Sequence, residues 1–108
     1  MINRNFGREL LERYGSPLYV YDLEEAERRA KALLQLLPKS AKLLYALKAN
    51  PVADLSVALK AAGCRAEIAS VAELKIALEA AFVPGEILCS GQARGPDRDP
   101  SRWPCSWR

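Results

Sequence analysis

Lys48 is the residue whose type and position best suit chemistry, because it directly follows the apolar run at residues 42–47. Such a run without alternation predicts a strand covered on both faces, and reacting groups in βα architectures lie at the carboxyl ends of strands. An amine that loses its water there favours the neutral form, which can attack a carbonyl and form a Schiff base. The alternative is a surface lysine whose stem lies along the strand while its ammonium stays in water.

Residue types that are missing or unpaired exclude other kinds of site. The chain has no histidine, which excludes Ser-His and Cys-His nucleophile pairs, histidine-ligated zinc and an imidazole base. Cys64, Cys89 and Cys105 fit neither a paired disulfide framework nor a Cys-x-x-Cys site, so we expect reduced thiols and no metal. No apolar run reaches the length of a leader or a membrane span, so we expect a cytoplasmic protein with no membrane partner.

Composition divides the 108 residues into an organised part and a tail. Residues 1–91 are rich in Leu, Ala and Glu, whereas residues 92–108 hold four Arg, two Asp, three Pro and both Trp, with no Leu, Ile or Val. Such a segment cannot build a core, so we predict that residues 92–108 are disordered. A GC-rich gene read out of frame would encode these residue types, which suggests a frameshift near residue 92. The tail carries +2 of the net charge of +3, so we expect no nucleic-acid partner.

Start and stop signals divide residues 1–91 into alternating strands and helices. Asp22 with Glu25, and Ser70 with Glu73, have the spacing of capping boxes, so Glu73 could serve as a helix cap alone. Asn50 followed by proline predicts another helix N-cap. The predicted helices begin at Asp22, Asn50 and Ser70, and the predicted strands cover residues 18–21, 42–47, 64–69 and 86–89.

The spacing of the predicted strands indicates repeated βα units. Strand starts near residues 41, 64 and 86 recur every 22 or 23 residues, which favours parallel strands with right-handed crossovers, in an open sheet or a closed barrel. The turns lack Gly-x-Gly-x-x-Gly and P-loop patterns, which favours the barrel. A complete barrel takes about 250 residues. We therefore predict an α/β fold, an incomplete (β/α)8 TIM barrel of about three βα units with an irregular C-terminal tail.

Three segments in this order resemble the barrel-type pyridoxal-phosphate decarboxylases, which include the diaminopimelate, ornithine and arginine decarboxylases. They are Tyr-Gly-Ser-Pro-Leu-Tyr-Val-Tyr-Asp at 14–22, Tyr-Ala-Leu-Lys-Ala-Asn-Pro at 45–51, and Glu-Ile-Ala-Ser-Val-Ala-Glu-Leu at 67–74 with Ile-Leu-Cys-Ser-Gly at 87–91. The resemblance covers the first 91 residues and is strongest to the diaminopimelate decarboxylases. Alanine racemases also place a lysine at this strand end, but their segment continues Ala-Tyr-Gly where Pro51 follows Asn50 here.

The resemblance implies a cofactor and three residues that bind it. Residues 1–91 would be the N-terminal part of a barrel like that of alanine racemase, which binds pyridoxal phosphate. Lys48 would be the catalytic residue that forms the Schiff base, and the cofactor ring would act as the electron sink after carbon dioxide leaves. Glu67 matches an acid near that lysine, where the family more usually has the shorter Asp. Glu73 matches a glutamate close to the cofactor.

The resemblance also implies an activity, which is decarboxylation of a basic or diamino acid similar to diaminopimelate, in lysine biosynthesis. The family's glycine-rich phosphate loop, ring-stacking histidine, distal glutamate and partner-subunit residues are not found in this sequence. We therefore expect the present chain to be truncated and inactive, and the family homodimer not to form properly from it. A hypothesis of a different class is a non-catalytic, decarboxylase-like binding subunit.

Overall fold

A computed structural model describes residues 2–90 and a two-residue strand at 106–107. Helices and strands alternate after the first two helices. In chain order the elements are α1 (Arg4–Tyr14), α2 (Leu23–Leu36), β1 (Leu44–Ala46), α3 (Ala53–Ala62), β2 (Arg65–Ile68), α4 (Val71–Glu79), β3 (Ile87–Cys89) and β4 (Ser106–Trp107). A 3-10 turn at Pro84–Glu86 leads into β3.

The strands form one parallel sheet in the order β1, β2, β3, β4. The first three are neighbours in the chain as well as in the sheet, and α3 and α4 connect them. Parallel neighbours require such a connection, because a tight turn can join only antiparallel strands. The predicted α/β class and the predicted parallel pairing are therefore confirmed.

The core lies where the helices cover one face of this sheet. Ala66 and Ile68 of β2 pack with Ile87 of β3 and with Ala77 of α4, and all four are buried. A second cluster joins α2 to α3 and includes the buried Ala30. Since successive side chains of a strand point to opposite faces, the residues that alternate with this core point to the other face of the sheet, where they are only half-buried.

Two predicted helix starts are confirmed by their caps. The Asp22 carboxylate accepts a hydrogen bond from the Glu25 N–H at 3.0 Å, and α2 follows directly. The Ser70 Oγ accepts from the Glu73 N–H at 3.1 Å, and α4 follows. Each cap satisfies a backbone donor that has no partner within its helix, which is why these residue types fix the position at which a helix begins.

The predicted N-cap at Asn50 was wrong. Helix α3 begins at Ala53, and its N-cap is Val52, which makes no side-chain cap. The Asn50 Oδ1 instead accepts from the Val52 N–H at 3.2 Å, in a turn that precedes the helix. Asn side chains satisfy turns and helix starts with the same acceptor atom, so the residue type alone does not separate the two.

The N-terminal segment differs most from expectation. The strand predicted at residues 18–21 was wrong, because these residues pair with no strand in the described part of the chain, and Tyr19 is 86% exposed. Aromatic and β-branched residues favour a strand only where neighbours supply packing and hydrogen bonds. Helix α1 was not predicted. Its N-cap is Asn3, whose side chain accepts from the Phe6 N–H at 2.9 Å, and none of the residues of α1 is buried.

The thiols differ from each other in this fold. Cys64 is free and buried, and burial raises its pKa. Cys89 is disulfide-bonded, which corrects the expectation of reduced thiols, because spacing along the chain does not show which thiols a fold brings together. Within residues 2–90 no cluster of three His, Cys, Asp or Glu could hold a metal ion, and no helix there is long and apolar enough to cross a membrane.

The tail predicted at residues 92–108 lies outside the described residues, apart from the backbone of β4. Ser106 and Trp107 pair in parallel with Leu88 and Cys89 of β3. The predicted boundary at residue 91, the disorder of the tail and the frameshift remain predictions.

Candidate functional site

A pocket of about 280 Å³ lies at the carboxyl ends of β1, β2 and β3. Its lining residues are Ala46, Lys48, Glu67, Ile68, Ala69 and Ser90. Lys48 and Glu67, two of the three predicted cofactor residues, therefore lie at one pocket, whereas Glu73 does not line it. The lining supplies an amine, a carboxylate and a hydroxyl, which are the groups available for chemistry.

The register of the sheet explains why these three side chains meet. Glu67 lies beside Ala46 of β1 and beside Leu88 of β3. Lys48 and Ser90 each come two residues after those partners, Lys48 in the turn beyond β1 and Ser90 directly after β3. Because β1 and β3 lie on opposite sides of β2, Lys48 and Ser90 approach Glu67 from opposite sides.

Lys48 lies in the turn that follows β1, and its side chain is exposed. The fully buried Leu47 fixes this turn, because its N–H donates to the Glu67 carbonyl oxygen at 3.0 Å. The Ala49 N–H donates to the Ala46 carbonyl oxygen at 3.0 Å. The Lys48 amine was expected to lose its hydrating water at this strand end. In the described part of the chain, however, no element covers the amine, and Lys48 is exposed. The amine is therefore open to a carbonyl compound from solvent.

Glu67 is held by Ser90. The Ser90 O–H donates to the Glu67 Oε1, and the Ser90 N–H donates to the Ile68 carbonyl oxygen at 2.9 Å. The backbone hydrogen bond continues the ladder between β2 and β3, so the position of the Ser90 hydroxyl is set by the sheet. The sequence motifs gave Ser90 no role, although its place directly after a predicted strand was a usable signal.

Glu73 has a structural task at the start of α4. Its Oε2 accepts from the Ala69 N–H at 2.7 Å, while its own N–H donates to the Ser70 Oγ. This reciprocal arrangement is close to a capping box, in which the third helical residue reaches back to the backbone before the helix. The capping interpretation of Glu73 is thus supported by two hydrogen bonds.

Tyr45 shapes the chain that follows Lys48. Its O–H donates to the Asn50 carbonyl oxygen at 2.7 Å, which closes the segment between β1 and α3. Burial raises the pKa of Tyr45, so the phenol keeps the proton that it donates. Tyr45 is the first residue of the motif at 45–51, but the motif did not indicate its role. The partner of its hydroxyl is a backbone oxygen, which every residue has and which no residue type reveals.

Comparison with known proteins identifies the family of this chain. Residues 23–98 match the family model of the pyridoxal-dependent decarboxylases, pyridoxal binding domain. Diaminopimelate decarboxylase of Deinococcus radiodurans is 36% identical over 94 residues, which are 86% of this chain and 24% of the relative. The enzyme of Aquifex aeolicus is 36% identical over 84 residues, covering 78% and 20%. That of Zymomonas mobilis is 30% identical over 87 residues, covering 77% and 21%.

The chain spans about a fifth to a quarter of the length of these relatives. The matched segment contains all the residues that line the pocket, among them Lys48, Glu67 and Ser90, and it also contains Glu73. The match also confirms the cofactor expected from the sequence, pyridoxal phosphate. This chain belongs to the family of the pyridoxal-dependent decarboxylases and carries sequence of their pyridoxal binding domain.

Proposed function

We propose that this chain supplies the cofactor lysine of a pyridoxal-phosphate-dependent decarboxylase acting on a basic or diamino acid similar to diaminopimelate. One observation carries the proposal. The exposed Lys48 lies at the carboxyl end of β1 in the same pocket as Glu67, within a segment that matches the family. The substrate class follows the names of the three relatives, each a diaminopimelate decarboxylase, which also supports a role in lysine biosynthesis.

The groups at the pocket fit the aldehyde end of the cofactor. Lys48 would hold that end through its amine, and Glu67 supplies the negative charge nearby. Glu73 acts on the site indirectly, by fixing the start of α4 next to Ala69. When bound, pyridoxal phosphate supplies a conjugated ring that takes up the electron pair left behind by departing carbon dioxide.

The family match favours a barrel for the complete domain. Three consecutive parallel strands lie in chain order with helices between them, as they do in a (β/α)8 barrel. One half of an open doubly wound sheet has the same strand order, so the family match, and not the strand order, is the reason for preferring the barrel. We propose that residues 1–91 form the first βα units of a TIM barrel in a cytoplasmic protein, and that the homodimer implied by the family resemblance does not form properly from this chain alone.

We expect the 108-residue chain by itself to bind the cofactor without decarboxylating. The chain has no histidine to stack on the ring, and groups that orient a reactant contribute much of a rate enhancement. An accessible amine is sufficient for reversible attachment, whereas turnover needs the orienting groups as well. Binding and turnover therefore need separate assays.

Trapping with borohydride tests the cofactor site. The full chain is incubated with pyridoxal phosphate and reduced, so that hydride adds to the carbon–nitrogen double bond and leaves a stable secondary amine. Peptide mass spectrometry then locates the modified lysine. Lys48→Ala should lose the adduct. Lys42→Ala is the matched control, because Lys42 precedes the amino end of β1 and lines a different pocket, with Arg65.

Each outcome of the trapping experiment has a definite meaning. A dominant adduct on Lys48 that persists in Lys42→Ala supports the proposed site. An adduct spread evenly over the exposed lysines would overturn it. Carbon dioxide release from diaminopimelate, ornithine and arginine is measured on the same preparations. Release by the chain alone would contradict the expected inactivity while leaving the Lys48 assignment in place.

A further inference from the structure

We propose that Ser90 is a positioning residue that holds the Glu67 carboxylate away from Lys48, so that the Lys48 amine stays free to react with an aldehyde. The inference deepens the proposed function, on which it rests for the identity of that aldehyde. It starts from the three side chains that meet at the pocket and from the one hydrogen bond that the structure shows between them.

Glu67 has two possible partners among the residues that line its pocket, Lys48 and Ser90. Its neighbours in the sheet are Ala46 and Leu88, and Lys48 and Ser90 lie two residues beyond them in the chain. An ammonium therefore follows one of the two strands that flank β2, and a hydroxyl follows the other. Because lysine and glutamate both have long side chains, an ion pair with Lys48 is the alternative to the hydrogen bond with Ser90.

The structure shows which partner Glu67 takes. The Ser90 hydroxyl donates to the Glu67 Oε1. Among the described residues, Lys48 forms no ion pair, and the ion pairs of Glu25, Glu27 and Glu86 are made with other cations. Glu67 and Lys48 are the only charged side chains among the residues that line this pocket. The Glu73 carboxylate, which lies nearest on α4, accepts from the Ala69 N–H.

The choice of partner matters for the reactivity of Lys48. An amine attacks a carbonyl only in its neutral form, and a nearby opposite charge favours the charged form. If Glu67 paired with Lys48, the fraction of neutral amine would fall. The hydroxyl of Ser90 is neutral, so it can hold the carboxylate without adding a competing charge, and the β2–β3 ladder keeps it in place. Glu67 thus stays at the pocket as a negative charge and leaves the amine unpaired.

Reductive alkylation with acetaldehyde tests this inference without the cofactor. The Lys48 nitrogen adds to the aldehyde carbon, water leaves, and hydride from cyanoborohydride reduces the resulting double bond. Peptide mass spectrometry gives the rate at Lys48 relative to the exposed Lys75 on α4 in the same sample. Ser90→Ala should slow Lys48 about two- to fivefold, the range for a partly exposed ion pair. Ser90→Thr keeps the hydroxyl and should react at the wild-type rate.

A double-mutant cycle shows whether the effect passes through Glu67. In a Glu67→Gln background, Ser90→Ala should no longer slow Lys48, because the amide cannot pair with an ammonium as a charge. An unchanged or faster rate in Ser90→Ala, or a slowing that persists with Glu67→Gln, would overturn the inference.

Glu67→Gln alone keeps the test open if Ser90→Ala does not fold. A carboxylate held by Ser90 predicts a Lys48 rate within about twofold of wild type, whereas a carboxylate already paired with Lys48 predicts a clear increase. Trapping with pyridoxal phosphate is run in parallel on the wild-type chain. Lack of a Lys48 adduct there would count against the proposed function alone, since the acetaldehyde rates report on Ser90 independently.

Discussion

Two substitutions of Glu73 can separate a structural role of this residue from a role in cofactor binding. Its Oε2 accepts from the Ala69 N–H at 2.7 Å, and its N–H is capped by the Ser70 Oγ at 3.1 Å. Glu73→Ala removes the acceptor and the charge together. Glu73→Gln removes only the charge, because the side-chain amide keeps an oxygen that can accept from the Ala69 N–H.

The structure gives the size of each effect. A hydrogen bond to a charged group contributes about 1.5 to 3 kcal/mol, and the half-buried Glu73 lies within the first turn of α4. We expect Glu73→Ala to lower the free energy of unfolding by about 2 kcal/mol. Glu73→Gln should lower it by about 0.5 to 1 kcal/mol, the usual range for a negative charge near a helix N-terminus.

Urea unfolding followed by circular dichroism measures both variants, and borohydride trapping measures the cofactor adduct on the same samples. With a slope of about 1.5 kcal/mol per M, the midpoint should fall by about 1.3 M for Glu73→Ala and by about 0.5 M for Glu73→Gln. Equal losses in the two variants would refute the capping argument. A stable Glu73→Gln that no longer forms the Lys48 adduct would show that the charge acts on the cofactor.

Two further predictions concern the scaffold. Gly63 ends α3 with φ of 104°, and a Cβ there would lie 3.3 Å from the Leu34 Cδ1. Because side chains rarely adopt this φ, Gly63→Ala should lower the free energy of unfolding by about 1 to 2 kcal/mol in the same urea assay. A change within 0.3 kcal/mol would contradict this reading. Arg29 and then Arg28 lower the pKa of Glu25 from its ordinary 4.5 to about 2, so its stabilising effect is complete above pH 4.5 and is lost as the pH falls towards 2. Glu25→Gln should therefore make the free energy of unfolding depend less on pH below 4.5, and an unchanged pH dependence would argue against the ion pairs.

Local signals in the sequence predicted the elements that carry the site. Asp22 and Ser70 fixed two helix starts, because a side-chain acceptor at an N-cap satisfies donors only a few residues away. The apolar run before Lys48 predicted β1, and the even spacing of strands predicted parallel pairing. These features depend on neighbours in the chain, so a linear pattern is sufficient to show them.

The predictions that failed depended on contacts with distant parts of the molecule. Residues 18–21 have the composition of a strand but no strand to pair with in the described chain. Asn50 has the residue type of a cap, but its side chain accepts from the Val52 N–H in the turn that precedes α3. In both places the residue type permitted two structures, and the packing of the surrounding elements selected one.

The sequence by itself determined that Lys48 follows a strand and that Glu67 lies on the next strand, because order along the chain and side-chain alternation are linear properties. Only the tertiary structure decided which group holds Glu67. The register of β1, β2 and β3 places an amine and a hydroxyl on either side of one carboxylate. The hydroxyl of Ser90, which lies 23 residues further along the chain, takes that hydrogen bond. A contact between strands depends on how the strands are aligned, and that alignment is a property of the assembled sheet.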